Sequence, residues 1–172
     1  DHLAGFAAAN STMAALLARD ELGEGQHIDM AQLEVGTYCI GPAALAWLSN
    51  GKKAQPNGNQ DGLQDHVPNE IFQCLDGFVA ITATSDDQWL RLAALLANPE
   101  LTGLSTELGR RAERDKIDQA ISEWVAGQNT ASVVELLQSV GVPSGIVQNA
   151  GDLINDDPQL TARGFWRDVS HP

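Results

Sequence analysis

Basic residues are scarce in this sequence: Lys and Arg together number 10 against 23 Asp and Glu, giving a net charge of -13 over 172 residues. Without a basic stripe there is little to neutralise a phosphate backbone, so nucleic acid and anionic membrane surfaces are excluded as partners. Cysteine is scarcer still. Cys39 and Cys74 are too few for a disulfide framework, and neither stands in a CxxC or Cys/His array. They are expected to be reduced, small, buried side chains in a cytoplasmic protein.

The motifs of several enzyme classes are missing as well. His2, His27, His66 and His171 show no HxxxH or HExxH spacing, so no metal site is expected. Ser11, Ser144 and Ser170 lie in no GxSxG elbow, and "GEGQ" lacks the strand-before, helix-after setting of a dinucleotide fingerprint. The longest apolar stretch, "YCIGPAALAWL", contains Gly41 and Pro42 and falls short of the ~20 residues that span a bilayer. The first residues lack the basic segment of a signal peptide. The sequence opens without Met, as if partway through a helix, and on that ground it is expected to be a portion of a longer protein.

What is present is a globular composition, 43% hydrophobic, with legible punctuation. Apolar and small residues recur at helical spacing from Leu3 to Asp20, predicting a buried or interface helix stopped by Gly23. "QHIDM" is a strand candidate. "AQLEVGTYCIGPAALAWLSNG" is a helix bent at Gly41-Pro42. "NEIFQCLDGFVAITATS" predicts a hairpin about Asp76-Gly77. Ser85 caps a helix with Trp89, Leu92, Leu95 and Leu96 on its buried stripe. "RRAERDKIDQAISEWVAGQ" predicts another, with Ile117, Ile121, Trp124 and Val125 inside and the charges outside. A third runs from a Thr130 cap to Gly141. "SGIVQN" and "FWRDVSHP" are strand candidates, with a short helix and turn about Pro158 between them. Helices, a hairpin and isolated strands in this order predict an α+β fold with a small sheet.

Between them, "NGKKAQPNGNQDGLQDHVP" is dense in turn formers and reads as a linker with an ordered loop. Asn57, Gly58, Asn59 and Gly62 could bring backbone amides close to a polar ligand. No nucleophile and base announce themselves.

Three segments resemble the family III CoA-transferases, the group that includes formyl-CoA transferase, carnitine CoA-transferase and α-methylacyl-CoA racemases. "AALLARDELGEGQHIDMAQLE" matches that family's "AL..R..TG.GQ.VD.S..E" at Arg19, Gly23, Gly25, Gln26, Asp29 and Glu34, with Leu22 where Thr is usual. "NGNQDGLQDHVPNEIFQCLDGFVAIT" resembles "GN......P...Y.C.DG.V.I". "GVPSGIVQNAGDLINDDPQLTARGFW" resembles "GVP.GPV....EL..DPQ..AR..F".

The resemblance implies a helical segment of a large α/β domain over 1–50, a connector and glycine-containing loop over 51–68, and a small α+β domain with the start of the return connector over 69–172. It implies a homodimer of interlocked subunits. The substrates would be acyl-CoA and a carboxylic acid, with coenzyme A as cosubstrate and no permanently bound cofactor. Catalysis would pass through an aspartyl mixed anhydride and an enzyme-CoA thioester. The family's catalytic aspartate is expected upstream of Asp1, so no catalytic residue is assigned in this chain, which is expected to be inactive by itself. Gly58, Asn59 and Gly62 are the candidate ligand-binding residues, where formyl-CoA transferase carries a glycine run and this sequence only one further glycine. A racemase on the same scaffold, or a non-catalytic binding or assembly module, are the alternatives.

Overall fold

The computed structural model describes residues 1–53, 55, 58–59 and 66–170. The chain divides into two compact units, Asp1–Pro56 and Asn57–Pro172. The first holds three helices: α1 (His2–Leu22), α2 (Gln32–Cys39) and α3 (Gly41–Asn50). Gly23 ends α1 at φ 75°, where its N–H reaches Arg19 O. The bend predicted at Gly41-Pro42 is a break one residue wide, at Ile40 between α2 and α3. Residues 26–30 form no strand; they run as irregular chain between α1 and α2.

This unit has almost no interior. Of α1 to α3 only Ala4 is buried, while Phe6, Leu17, Leu33, Tyr38 and Leu48 are all more than two-thirds exposed. Cys39 is exposed too, against expectation; Cys74 is buried. A packed domain depends on removing such surface from water, at about 25 cal/mol per Å2. These helices have not done so in this chain.

The second unit carries the core. Strands β1 (Asn69–Gln73), β2 (Phe78–Thr82) and β3 (Ser144–Ile146) form an antiparallel sheet in the order β1-β2-β3, as the hairpin and "SGIVQN" predicted. Around it stand α4 (Asp86–Leu96), α5 (Pro99–Thr102), α6 (Glu107–Ala112), α7 (Arg114–Val125), α8 (Thr130–Ser139), α9 (Ala150–Asn155) and α10 (Pro158–Ala162). In β1 and β2 alternate residues face inward, so Phe72 pairs with Val79 over Trp89, Leu92, Ile117, Ile121, Val125, Val133 and Leu137. The α+β class is therefore borne out, with helices collected around one small sheet.

Local chemistry explains most boundaries. Ser85 caps α4 through Gln88 N–H, as predicted. The Thr130 cap is corrected: Thr130 is the first residue of α8, and its N–H is satisfied by Asp76 Oδ1 at 2.8 Å, which locks the hairpin turn to α8. Gly141, at φ 77°, lets the chain leave α8 where a side chain would meet Arg91. "FWRDVSHP" forms no strand over its described residues. Phe165 and Trp166 stack edge-to-face at 5.0 Å, and Trp166 Nε1 donates to Leu153 O.

The charged face predicted for "RRAERDK" holds one exception. Arg110 is 1% exposed; its Nε donates to Val67 O at 2.9 Å and its Nη1 to Asp86 Oδ1 at 2.7 Å, with the guanidinium 5.7 Å from the Trp89 ring centre. Removing it leaves a buried carbonyl unpaired and a void beside Trp89. Arg110→Ala is expected to lower stability in chemical denaturation by about 2–4 kcal/mol, whereas Arg111→Ala, an exposed neighbour, changes it by no more than about 0.5 kcal/mol. Amide exchange on the 172-residue chain should report the contrast between units: protection in α4 and α7 close to that of global unfolding, and exchange several orders of magnitude faster in α1 to α3.

Candidate functional site

The site lies where the loop ahead of the hairpin meets the sheet. Gly58 takes φ 64°, a left-handed turn open to glycine, and places Asn59 against β1. Asn59 Nδ2 donates to Glu70 Oε1 at 2.5 Å, and Asn59 O accepts from Asn69 Nδ2 at 2.8 Å. Gly58 and Asn59 thus stand together at the sheet. Gly62, the third candidate, lies outside the described residues.

Asn59 opens onto a cleft of about 390 Å3 lined also by Asn69, Glu70, Ile71, Ala80, Ile81, Thr82, Pro143, Ser144 and Gly145. Its floor is the sheet face turned away from the core, since Asn69, Ile71, Ala80 and Thr82 are the residues that alternate outward in register. The walls are amide, hydroxyl and backbone groups over apolar carbon, with Glu70 as the one charged residue among the described ones. Such a lining can hold a neutral polar or apolar arm of a ligand and offers no ion partner to a phosphate. Sequence reasoning missed Asn69, Glu70 and Thr82; for Asn69 and Thr82 the outward positions of a strand that flanks a turn-rich loop were the available signal, and Glu70 had none.

Behind β1 a charged layer steadies the approach to this cleft. Glu107 accepts from Arg111 Nη2 at 2.6 Å and lies 3.2 Å from His66 Nδ1, while Arg114 Nη2 reaches His66 O at 3.5 Å. The Arg111 bond, helped by His66, holds the Glu107 carboxyl below its ordinary value. Asp118 on α7 is the opposite case. Burial pushes its carboxyl up, Arg114 opposes the shift, and the negative charges of Glu70 and Asp115 add to it. Its Oδ1 is buried and accepts no hydrogen bond among the described residues. Also among the described residues, no group of three or more His, Cys, Asp or Glu could hold a metal ion, and no helix is long and apolar enough to cross a membrane.

A small antiparallel sheet ringed by helices, with a glycine turn leading into its first strand, defines the class; comparison with known proteins gives the family. The chain belongs to CoA-transferase family III, whose model matches residues 1–172. It is 29% identical over 161 residues to a succinyl-CoA:mesaconate CoA-transferase of Haloarcula hispanica, covering 93% of this chain and 40% of that protein. It is 30% identical over 169 residues to a succinyl-CoA–L-malate CoA-transferase alpha subunit of Chloroflexus aurantiacus, covering 96% and 39%. Among solved structures, a CAIB/BAIF family protein from Brucella suis superposes with a TM-score of 0.78 at 27% identity, over 94% of this chain and 43% of its own. The chain thus spans about two-fifths of the length of these relatives, so what the whole protein does is a matter for proposal.

The raised Asp118 carboxyl has a measurable consequence. The native state holds this proton more tightly than the unfolded chain does, so Asp118 draws stability down as pH rises from the ordinary carboxylate value through its raised one. The stability difference between Asp118→Asn and wild type should therefore move in favour of the variant as pH rises over the range above the ordinary carboxylate value of about 4. Paired thermal melts across that range test this; a difference that does not change with pH contradicts the assignment.

Proposed function

We propose that this chain is the middle and small-domain portion of an enzyme that moves CoA from an acyl-CoA to a carboxylic acid. The observation that carries the reading is the family match along the whole chain. Residues 1–50 then belong to the large domain, 51–68 connect, and 69–172 form the small domain. The exposed apolar side chains of α1 to α3 support this reading, since a larger domain would cover them. The protein acts as a homodimer. Succinyl-CoA as donor and a dicarboxylic acid as acceptor are the substrates to try first, because the relatives named above carry those acids in their names.

The chemistry is nucleophilic catalysis in steps. An enzyme aspartate attacks the thioester carbonyl, the C–S bond breaks, and CoA thiolate leaves an acyl-enzyme anhydride. The thiolate then attacks the enzyme's carbonyl carbon, freeing the donor acid and forming an enzyme-CoA thioester. The acceptor carboxylate attacks that thioester and again expels thiolate. The thiolate takes the acceptor's acyl carbon, and the enzyme carboxylate is restored. We assign that carboxylate to no residue of this chain. Gly58 and Asn59, with Gly62, have a supporting role: backbone amides brought to the reacting carbonyl can stabilise the oxyanion and shield the anhydride from hydrolysis.

Incubation of the full-length protein with succinyl-CoA and a dicarboxylic acid should yield the acceptor's CoA thioester with ping-pong kinetics and a protein-bound CoA adduct visible by mass spectrometry. The 172-residue chain alone should give none; turnover by it would contradict the reading. Exchange of the α-proton of the acyl-CoA without any acceptor acid would instead favour racemase chemistry.

A further inference from the structure

Two residues of β1 hold one residue of the turn, Asn59, by its main chain and by its side chain. Asn69 Nδ2 grips the backbone oxygen of Asn59, and Glu70 Oε1 accepts from the Asn59 side-chain nitrogen. The same Glu70 oxygen also accepts Ile71 N–H at 2.8 Å, so the carboxylate is itself braced on the strand's own backbone. Two anchors, one on main chain and one on side chain, fix direction as well as place. Neither residue serves the core, since both are only half-buried at the strand's open edge. Their hydrogen bonds reach back ten and eleven residues to one point, the residue that follows the left-handed Gly58.

We infer that Glu70 and Asn69 are positioning residues that set the Gly58–Asn59 turn for the transfer reaction, an inference that rests on the functional reading of that turn. Transition-state stabilisation by backbone amides is sensitive to sub-ångström placement, while capture of the substrate is less so. The clamp therefore acts on kcat before KM. It works through hydrogen-bond acceptance rather than through net charge, so an amide of equal length can replace the carboxylate: the Gln carbonyl oxygen can accept from both Asn59 Nδ2 and Ile71 N–H.

The test combines kinetics on the full-length protein with resonances of Asn59 in the 172-residue chain, for wild type, Glu70→Ala, Glu70→Gln and Asn69→Ala. Glu70→Ala should lower kcat about 10- to 100-fold with KM within about twofold and no loss of thermal stability. Glu70→Gln should return kcat to within about threefold of wild type, and Asn69→Ala should fall on the side of Glu70→Ala. Wild-type kcat in Glu70→Ala overturns the inference, and so does a Glu70→Gln as impaired as Glu70→Ala. If the wild-type protein transfers no CoA, the proposed function fails by itself and Asn59 decides the clamp. A displaced Asn59 side-chain amide resonance in Glu70→Ala supports it, and an unmoved one overturns it.

Discussion

The buried guanidinium of Arg110 is the contact on which the small domain's arrangement depends. It comes from α6, binds the carbonyl of Val67 where the chain enters β1, binds Asp86 in the first turn of α4, and lies over Trp89 at the centre of the core. A charge taken so far out of water is costly unless its donors are met, and here one acceptor is a backbone oxygen and the other a carboxylate still 55% exposed. The asymmetry matters. Asp86 remains hydrated without Arg110, but Val67 is fully buried, and among the described residues its carbonyl accepts only from Arg110.

From that contact the site follows in steps. Fixing Val67 fixes the start of β1, with help from Glu107 and Arg114 at His66. The start of β1 presents Asn69 and Glu70, and these in turn hold Asn59. The cleft is what remains open when the inner face of the sheet is spent on the core and its outer face is left to Ile71, Ala80 and Thr82. Structure and function are linked here through the same strand: Phe72 packs the domain, and the side chains of its first two residues, Asn69 and Glu70, hold the turn.

How much of this the sequence disclosed depends on how local each cause is. The hairpin about Asp76-Gly77, the Ser85 cap and the apolar stripe Ile117–Ile121–Val125 rest on neighbours within a few residues and were legible. The Thr130 cap was not, because Asp76, far away in sequence, supplies the acceptor. "QHIDM" and the described part of "FWRDVSHP" have strand-like composition but gain no pairing strand, and Trp166 finds its partner on α9 instead. Arg110 looked like one more solvated charge among its neighbours; only the fold brings Val67 and Asp86 to it. Gly58 and Asn59 were visible as turn formers, and the resemblance gave them a role. Their anchors on β1 were not, since hydrogen bonds across ten residues leave no periodic signature.

The central claim is that the turn at Gly58–Asn59, held on β1, faces the reacting thioester. A crystal structure of the full-length protein trapped with an acyl-CoA tests it most directly. The account predicts the thioester carbonyl within hydrogen-bonding distance of an amide of this turn, with the Asn69 and Glu70 bonds intact. A thioester bound elsewhere, with the turn exposed to solvent on the far side of the domain, would contradict it.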